Sequence, residues 1–122
     1  MNYTYIISPD IEIITVIAIG NLEPNEVAEL ELKIRQMAKD LKYKIIFDYR
    51  LSKNKISITE AYYWVTTHFD KVDIKLKQIK SAYLVNKADW DFYSFFECTT
   101  NNHGLPIKAF QEDAEILNWL ES

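Results

Sequence analysis

Residues 11–50, IEIITVIAIGNLEPNEVAELELKIRQMAKDLKYKIIFDYR, contain the three segments that decide the fold. The first, Ile11–Ile19, is a β-branched run that is apolar on both faces, which predicts a strand inside a sheet. In the second, Pro24–Leu41, apolar residues recur at spacings of three and four, which predicts an amphipathic helix. The third, Lys44–Arg50, contains an apolar run and predicts another strand. This order predicts two parallel strands joined by a right-handed crossover.

The flanking segments extend this unit in both directions. Tyr3–Ser8 is predicted to be a strand, and the residues Pro9-Asp10 favour a turn, so we expect the chain to begin with a β-hairpin. The later predicted elements are a helix over Ile58–Val72, a strand over Ile79–Asn86, a helix over Ala88–Asn101, an edge strand over Pro106–Phe110 and a last helix from Glu112, with Ala114, Leu117 and Leu120 inward. We predict one α/β domain over residues 1–122, with a five-stranded mixed sheet and the order β-β-α-β-α-β-α-β-α.

Composition narrows the class of protein. The 122 residues are 48% hydrophobic and 26% charged, which excludes an intrinsically disordered chain. The net charge of -4 disfavours a nucleic-acid partner, since such proteins normally present a basic face. Ile11–Ile19 is about half of what a membrane helix needs, and the lone Cys98 suits a reducing compartment. We expect a cytoplasmic protein without membrane insertion.

Three stretches of the chain resemble the STAS / SpoIIAA-like domain family, named for the anti-sigma-factor antagonists of sporulation. They are the opening hairpin Tyr3–Gly20, the segment Lys44–Arg50 with its Phe-Asp-x-Arg-like end, and the closing segment from Ile107 to Leu120. The resemblance covers nearly the whole chain and implies a SpoIIAA-like fold. It also implies similarity in plan to the lipid-exchange CRAL-TRIO domains.

In phosphorylated members of that family, a serine near the start of the helix after the third strand is the switch. The resemblance places Ser57 there, with Thr59 as its neighbour. The family's Asp-Ser-x-Gly-like segment is absent, because the chain reads Lys55-Ile56-Ser57-Ile58. Ser57 and Glu60 also fit a capping box, so an ordinary helix cap is the alternative to a switch.

Polar residues lie at the ends of the third and fourth predicted strands, the edge where parallel sheets bind ligands. Asp48 and Arg50 lie on one side of their strand because side chains alternate. Asn86 ends the next predicted strand, and Asp89 lies just beyond it. Together these four residues predict a site for an anion or a peptide, with a local ion pair and loop anchor as the alternative.

Aromatic residues are unusually dense on the second and third predicted helices. Adjacent helical positions are about 100° apart, so the aromatics of one cluster cannot all face the core. We expect Phe92, Phe95, Phe96 and Thr99 to be buried. Tyr63, Trp90 and Tyr93 then point outward and are interface candidates, with a partly flat surface position as the alternative.

The sequence offers little support for a metal site or a phosphate-binding loop. His68, Cys98 and His103 do not form a spacing typical of metal ligands, and two glycines cannot build a phosphate loop. We therefore predict no metal and no cofactor.

Three functions remain open. The first is a non-enzymatic interaction or regulatory module that binds a protein partner or itself. The second is a carrier of a small apolar, lipid-like ligand. The third is a small enzyme that uses Asp48 and Arg50 at the strand ends.

Overall fold

The structure is a computed structural model that describes residues 1–68 and 73–122. Its strands are β1 (Asn2–Ser8), β2 (Ile13–Leu22), β3 (Lys44–Asn54), β4 (Ser81–Leu84) and β5 (Ile107–Phe110). They form one sheet in the order β1-β2-β3-β4-β5. β1 is antiparallel to β2, and all the other neighbouring pairs are parallel. The predicted mixed sheet, with its opening hairpin, internal β2 and edge β5, is confirmed.

Five helices lie in the described part of the chain. They are α1 (Pro24–Leu41), α2 (Ile58–Tyr63), α3 (Ile74–Lys77), α4 (Trp90–Asn102) and α5 (Ile116–Glu121). Short 3-10 turns precede α4 and α5. The bounds of α1 agree with the sequence prediction, because proline at its first turn and the apolar spacing both mark the helix.

The helix predicted over Ile58–Val72 is wrong as one continuous element. α2 ends at Tyr63, and a π-helical turn over Trp64–His68 follows. Val65, Thr66 and Thr67 are β-branched, which lowers helix propensity, and the Thr66 hydroxyl donates to the Tyr62 carbonyl at 2.9 Å. Residues 69–72 of the predicted helix lie outside the described residues.

The sheet separates two apolar cores. α1, α2 and α4 pack with one face of the sheet, which contributes Val16, Phe47 and Tyr83 to the larger core. α5 packs on the other face, where Ile116 and Leu120 meet Leu84 and Phe110. The α/β layers therefore surround the central strands on both sides.

The inward face of α5 differs from the prediction. Ile116 and Leu120 are buried, whereas Ala114 is exposed and Leu117 is 44% exposed. The α-helix begins only at Ile116, after a 3-10 turn. Residues four apart lie on the same side of a helix, so Ile116 and Leu120 together form its buried side.

Candidate functional site

A buried polar cluster lies between α1 and the middle of the sheet. Glu31 on α1 is 3% exposed, although it is charged in water at neutral pH. The Tyr49 hydroxyl on β3 donates to Glu31 Oε2 at 2.9 Å. The Tyr83 hydroxyl on β4 donates to Glu31 Oε1 at 2.5 Å. Both carboxylate oxygens are thus bonded, as a buried carboxylate requires.

Arg35, one helical turn after Glu31, extends the cluster toward the beginning of β4. It is 1% exposed. Its Nη1 donates to Ser81 Oγ at 3.0 Å, and its Nη2 donates to the Tyr83 hydroxyl oxygen at 3.3 Å. Tyr83 therefore accepts from Arg35 while it donates to Glu31.

Burial dominates the electrostatics of this cluster. Removal from water raises the pKa of Glu31, while the Arg35 charge and the two phenol hydrogen bonds oppose that rise. Burial, and then the nearby Glu31 charge, raise the pKa of Tyr83 well above its ordinary value. Burial raises the pKa of Tyr49 in the same way. The two phenols therefore stay neutral hydrogen-bond donors at physiological pH. Glu31 is the acidic group of the cluster whose protonation is affected by burial and by Arg35.

A cavity of about 490 Å³ opens beside this cluster, between α1, α2 and α4. Glu31 and Tyr83 contribute to its wall. The remaining wall is mainly apolar and aromatic, and it is formed by Pro24, Asn25, Val27, Ala28, Ile56, Thr59, Glu60, Ala61, Tyr63, Trp64, Phe92, Tyr93 and Phe96. The cavity lies near the starts of three helices that follow β2, β3 and β4, the side of a parallel sheet where ligands bind.

Aromatic rings support the wall from the inside. The Tyr83 ring lies 6.0 Å from Tyr93 and 5.6 Å from Phe96, measured between ring centroids. Phe96 in turn lies 6.1 Å from Trp64 and 6.2 Å from Phe92. These distances are typical of favourable aromatic pairs, so the wall is a packed surface.

The capping box predicted at Ser57 is present and sets the position of α2. The Glu60 backbone N–H donates to Ser57 Oγ at 3.0 Å, and the Ser57 N–H donates to Glu60 Oε1 at 3.0 Å. Thr59 and Glu60, in the first turn of that helix, line the cavity, whereas Ser57 does not. The ordinary cap is thus observed, and a phosphorylation switch at Ser57 or Thr59 stays a prediction.

The four polar residues predicted at the strand ends form local anchors. Arg50 Nη2 lies 2.8 Å from Asp48 Oδ2, and Arg50 Nε donates to Asp48 Oδ1 at 3.0 Å. Asn86 Nδ2 donates to the Ser52 carbonyl at 2.9 Å, and the Asp89 N–H donates to Asn86 Oδ1 at 2.9 Å. None of the four lines the cavity. The local ion pair and the loop anchor are thus observed, and a site for an anion or a peptide at these residues stays a prediction.

The three interface candidates have different environments. Tyr63 points outward, as predicted, with 63% of its surface exposed. Trp90 is half-buried and packs against the larger core. The outward position predicted for Tyr93 is wrong, because only 4% is exposed. Its ring continues the aromatic core, 6.3 Å from Tyr49. Tyr63 and Tyr93 both line the cavity.

Within residues 1–68 and 73–122, His, Cys, Asp and Glu side chains do not gather into any group of three suited to a metal ion. The helices in the same ranges are too short or too polar to cross a membrane.

The sequence interpretation missed Glu31, Arg35 and Tyr83. A signal was present, since Glu31 and Arg35 occur four and eight residues after Val27 and so fall within the apolar stripe of α1. Charged residues in such a stripe indicate either an exposed helix edge or a buried, hydrogen-bonded pair. Tyr83 lacked a signal of its own, because any aromatic residue fits an internal strand.

Comparisons of the chain with protein-family models, with curated proteins and with solved structures found no match.

Proposed function

We propose that this protein binds a small, mainly apolar ligand in the cavity between α1, α2 and α4. The observation that supports this most strongly is the cavity itself, about 490 Å³ in volume and walled mainly by aromatic and aliphatic side chains. Ligand sites in proteins commonly measure roughly 300–1,000 Å³ and combine apolar walls with a few polar groups. Glu31 and Tyr83 are such groups in this wall.

The entrance supports the same proposal. Tyr63 and Glu60 line the cavity and are exposed, whereas Tyr83, Tyr93 and Phe96 line it and are buried. The cavity thus extends from a polar, water-exposed rim to an aromatic interior. Burial of an apolar ligand body in this cavity would favour binding by about 25 cal/mol for each Å² of apolar surface removed from water.

The fold-level resemblance is compatible with this function. We propose that the sheet and its helices are SpoIIAA-like, a plan that resembles the lipid-exchange CRAL-TRIO domains. Fold alone does not define a function, so the cavity remains the main support. The Asp48–Arg50 pair, whose charges already satisfy each other, offers weaker support for a ligand or an enzymatic step.

Octanol is a suitable neutral probe of the cavity. We expect isothermal titration calorimetry to detect binding to the wild type. Ala28 is half-buried in the wall, so the larger side chain of Ala28→Phe should fill part of the cavity. This variant should bind octanol about tenfold more weakly or worse, since roughly 1.4 kcal/mol of lost contact gives that factor.

Ala114→Phe is the matched control, because Ala114 is exposed and lies outside the cavity wall. It should bind octanol like the wild type. The proposal would be wrong if the wild type bound no octanol up to its solubility limit, or if both variants behaved alike. Native mass spectrometry of protein purified from cells would also reveal a co-purified natural ligand.

A second candidate function is self-association through β1. This strand lies at the edge of the sheet, and its sequence NYTYIIS contains neither a charged residue nor proline. Charges and prolines are the features that normally protect an edge from pairing. Tyr5, Ile6 and Ile7 are 41%, 56% and 40% exposed. Antiparallel pairing of β1 with its copy in a second chain would bury them and extend the sheet.

Light scattering after size exclusion tests this second candidate. Wild type at tens of micromolar should contain dimers, and Ile6→Lys should reduce them by placing a charge on the edge strand. Leu32→Lys, at an exposed apolar position on α1, is the matched control and should leave the dimer fraction unchanged. A monomeric wild type would exclude this candidate without affecting the ligand proposal.

A further inference from the structure

We infer that the ligand of the cavity carries a cationic head, either a protonated amine or a quaternary ammonium group, on its apolar body. This inference rests on the proposed function and adds the chemical class of the ligand. It is based on the charges and the aromatic side chains of the cavity wall.

The charged groups of the wall have one sign. Glu31 and Glu60 line the cavity, and the other described residues of its wall are uncharged. Glu31 lies at the buried end and Glu60 at the exposed rim. A carboxylate or phosphate head would face a carboxylate at either end, and the repulsion would be strongest at the buried Glu31, where the dielectric is reduced. A cationic head would face opposite charge in either position.

The aromatic composition of the wall favours the same head. Six aromatic side chains line the cavity, namely Tyr63, Trp64, Tyr83, Phe92, Tyr93 and Phe96. Aromatic faces attract cations, and groups of such rings are the usual means of binding quaternary ammonium ligands. Aliphatic side chains would be enough to bury an entirely apolar ligand. The six aromatic rings and two carboxylates of this wall go beyond that need, and both kinds of group attract a cation.

Glu31 is the inferred counter-ion. Both of its oxygens accept hydrogen bonds from tyrosine hydroxyls, and each retains further acceptor capacity. Arg35 provides positive charge near it, but Arg35 does not line the cavity and donates to Ser81 and Tyr83. A ligand ammonium in the cavity would therefore face Glu31, which lines the wall, and not Arg35, which does not.

The test is a series of ligands with one tail and different heads. Octylamine, octyltrimethylammonium, octanol and octanoate share an eight-carbon chain, and their affinities are measured by calorimetry at neutral pH. We expect both cations to bind at least about tenfold more tightly than octanoate. The affinity of octanol should lie between that of the cations and that of octanoate. Glu31→Gln should remove most of the preference for octylamine over octanoate.

Glu29→Gln is the matched control, because Glu29 is exposed on the same helix and lies outside the cavity wall. It should keep the wild-type preference. If Glu31→Gln does not fold, Glu60→Gln at the exposed rim should still reduce the preference. Equal binding of all four probes, or tighter binding of octanoate, would overturn the inference and leave the proposed function intact. Failure of all four probes to bind would overturn both.

Discussion

At the scale of single residues, Glu31 determines the character of the site. An ionised carboxylate inside a protein is costly unless it is hydrogen-bonded, and here Tyr49 and Tyr83 provide the bonds. The charged groups that face it are Arg35 on its own helix and, when ionised, the phenols of Tyr49, Tyr83 and Tyr93. Glu31 thus links the polar cluster, which holds α1 to the sheet, with the cavity.

Glu31 should make stability depend on pH. Burial raises the pKa of Glu31 in the folded protein, so the folded state binds this proton more tightly than the unfolded chain does. The stabilising effect of that proton is fully present at low pH and is lost as pH rises from the unfolded to the folded pKa. Relative to Glu31→Gln, the wild type should therefore lose stability as pH increases.

Urea unfolding of both proteins between about pH 4 and pH 8 measures this difference, since that range includes the ordinary glutamate pKa and values above it. A difference that does not change with pH, or that grows in favour of the wild type at high pH, would contradict the assignment of a raised pKa.

Tyr83→Phe removes one hydroxyl from the centre of the cluster. Glu31 loses a donor and Arg35 loses an acceptor, and both are buried. We expect a loss of about 1–3 kcal/mol in the free energy of unfolding, the usual cost of a buried polar group left without its partner. Tyr62→Phe is the control, because Tyr62 is 53% exposed, and its effect should stay within about 0.5 kcal/mol. Similar stabilities for the two variants would show that the cluster contributes little.

At the scale of elements, the cavity depends on the short helix α2. Six residues are too few for a helix that is stable by itself, so the helix relies on its cap and on packing. The sequence predicted the start of this helix correctly, because the capping box is a local pattern. It did not predict the end at Tyr63, because the π-helical turn depends on β-branched residues whose effect is weak and easily overridden by packing.

Ser57→Ala should destabilise α2 by removing the acceptor for the Glu60 N–H. We expect a loss of about 1 kcal/mol in the free energy of unfolding and faster amide exchange in the first turn of the helix. Ser57→Asp keeps a capping oxygen and adds favourable charge at the helix start, so it should retain the wild-type exchange rates. Unchanged exchange in Ser57→Ala would show that packing alone holds the helix.

At the scale of the whole molecule, the topology was predictable and the cavity was not. The strand–helix–strand unit around Pro24–Leu41 predicts the parallel core of the sheet, and Pro106, directly before β5, indicates an edge strand. Ala28, Tyr63 and Phe92 line the same cavity, although they are far apart in the sequence. On α4 the sequence correctly predicted that Phe96 and Thr99 are buried, but it placed Tyr93 outward, because local pattern does not distinguish Tyr93 from the adjacent, half-buried Phe92.

Ligand binding should stabilise the whole domain. A ligand that binds only the folded state adds about 2.7 kcal/mol to the free energy of unfolding when its concentration is a hundred times its dissociation constant. Octylamine should therefore raise the thermal midpoint of the wild type and of Ala114→Phe by the same amount, and that of Ala28→Phe clearly less. An equal shift in all three would indicate binding outside the cavity.

The most direct test of the central claim is a nuclear magnetic resonance map of bound octylamine. Protons of the ligand chain should show nuclear Overhauser contacts with the methyl groups of Ala28 and Ala61 and with the Phe96 ring, which line the cavity on three different helices. Contacts restricted to β1 or α5, or no contacts at saturating ligand, would contradict a ligand site between α1, α2 and α4.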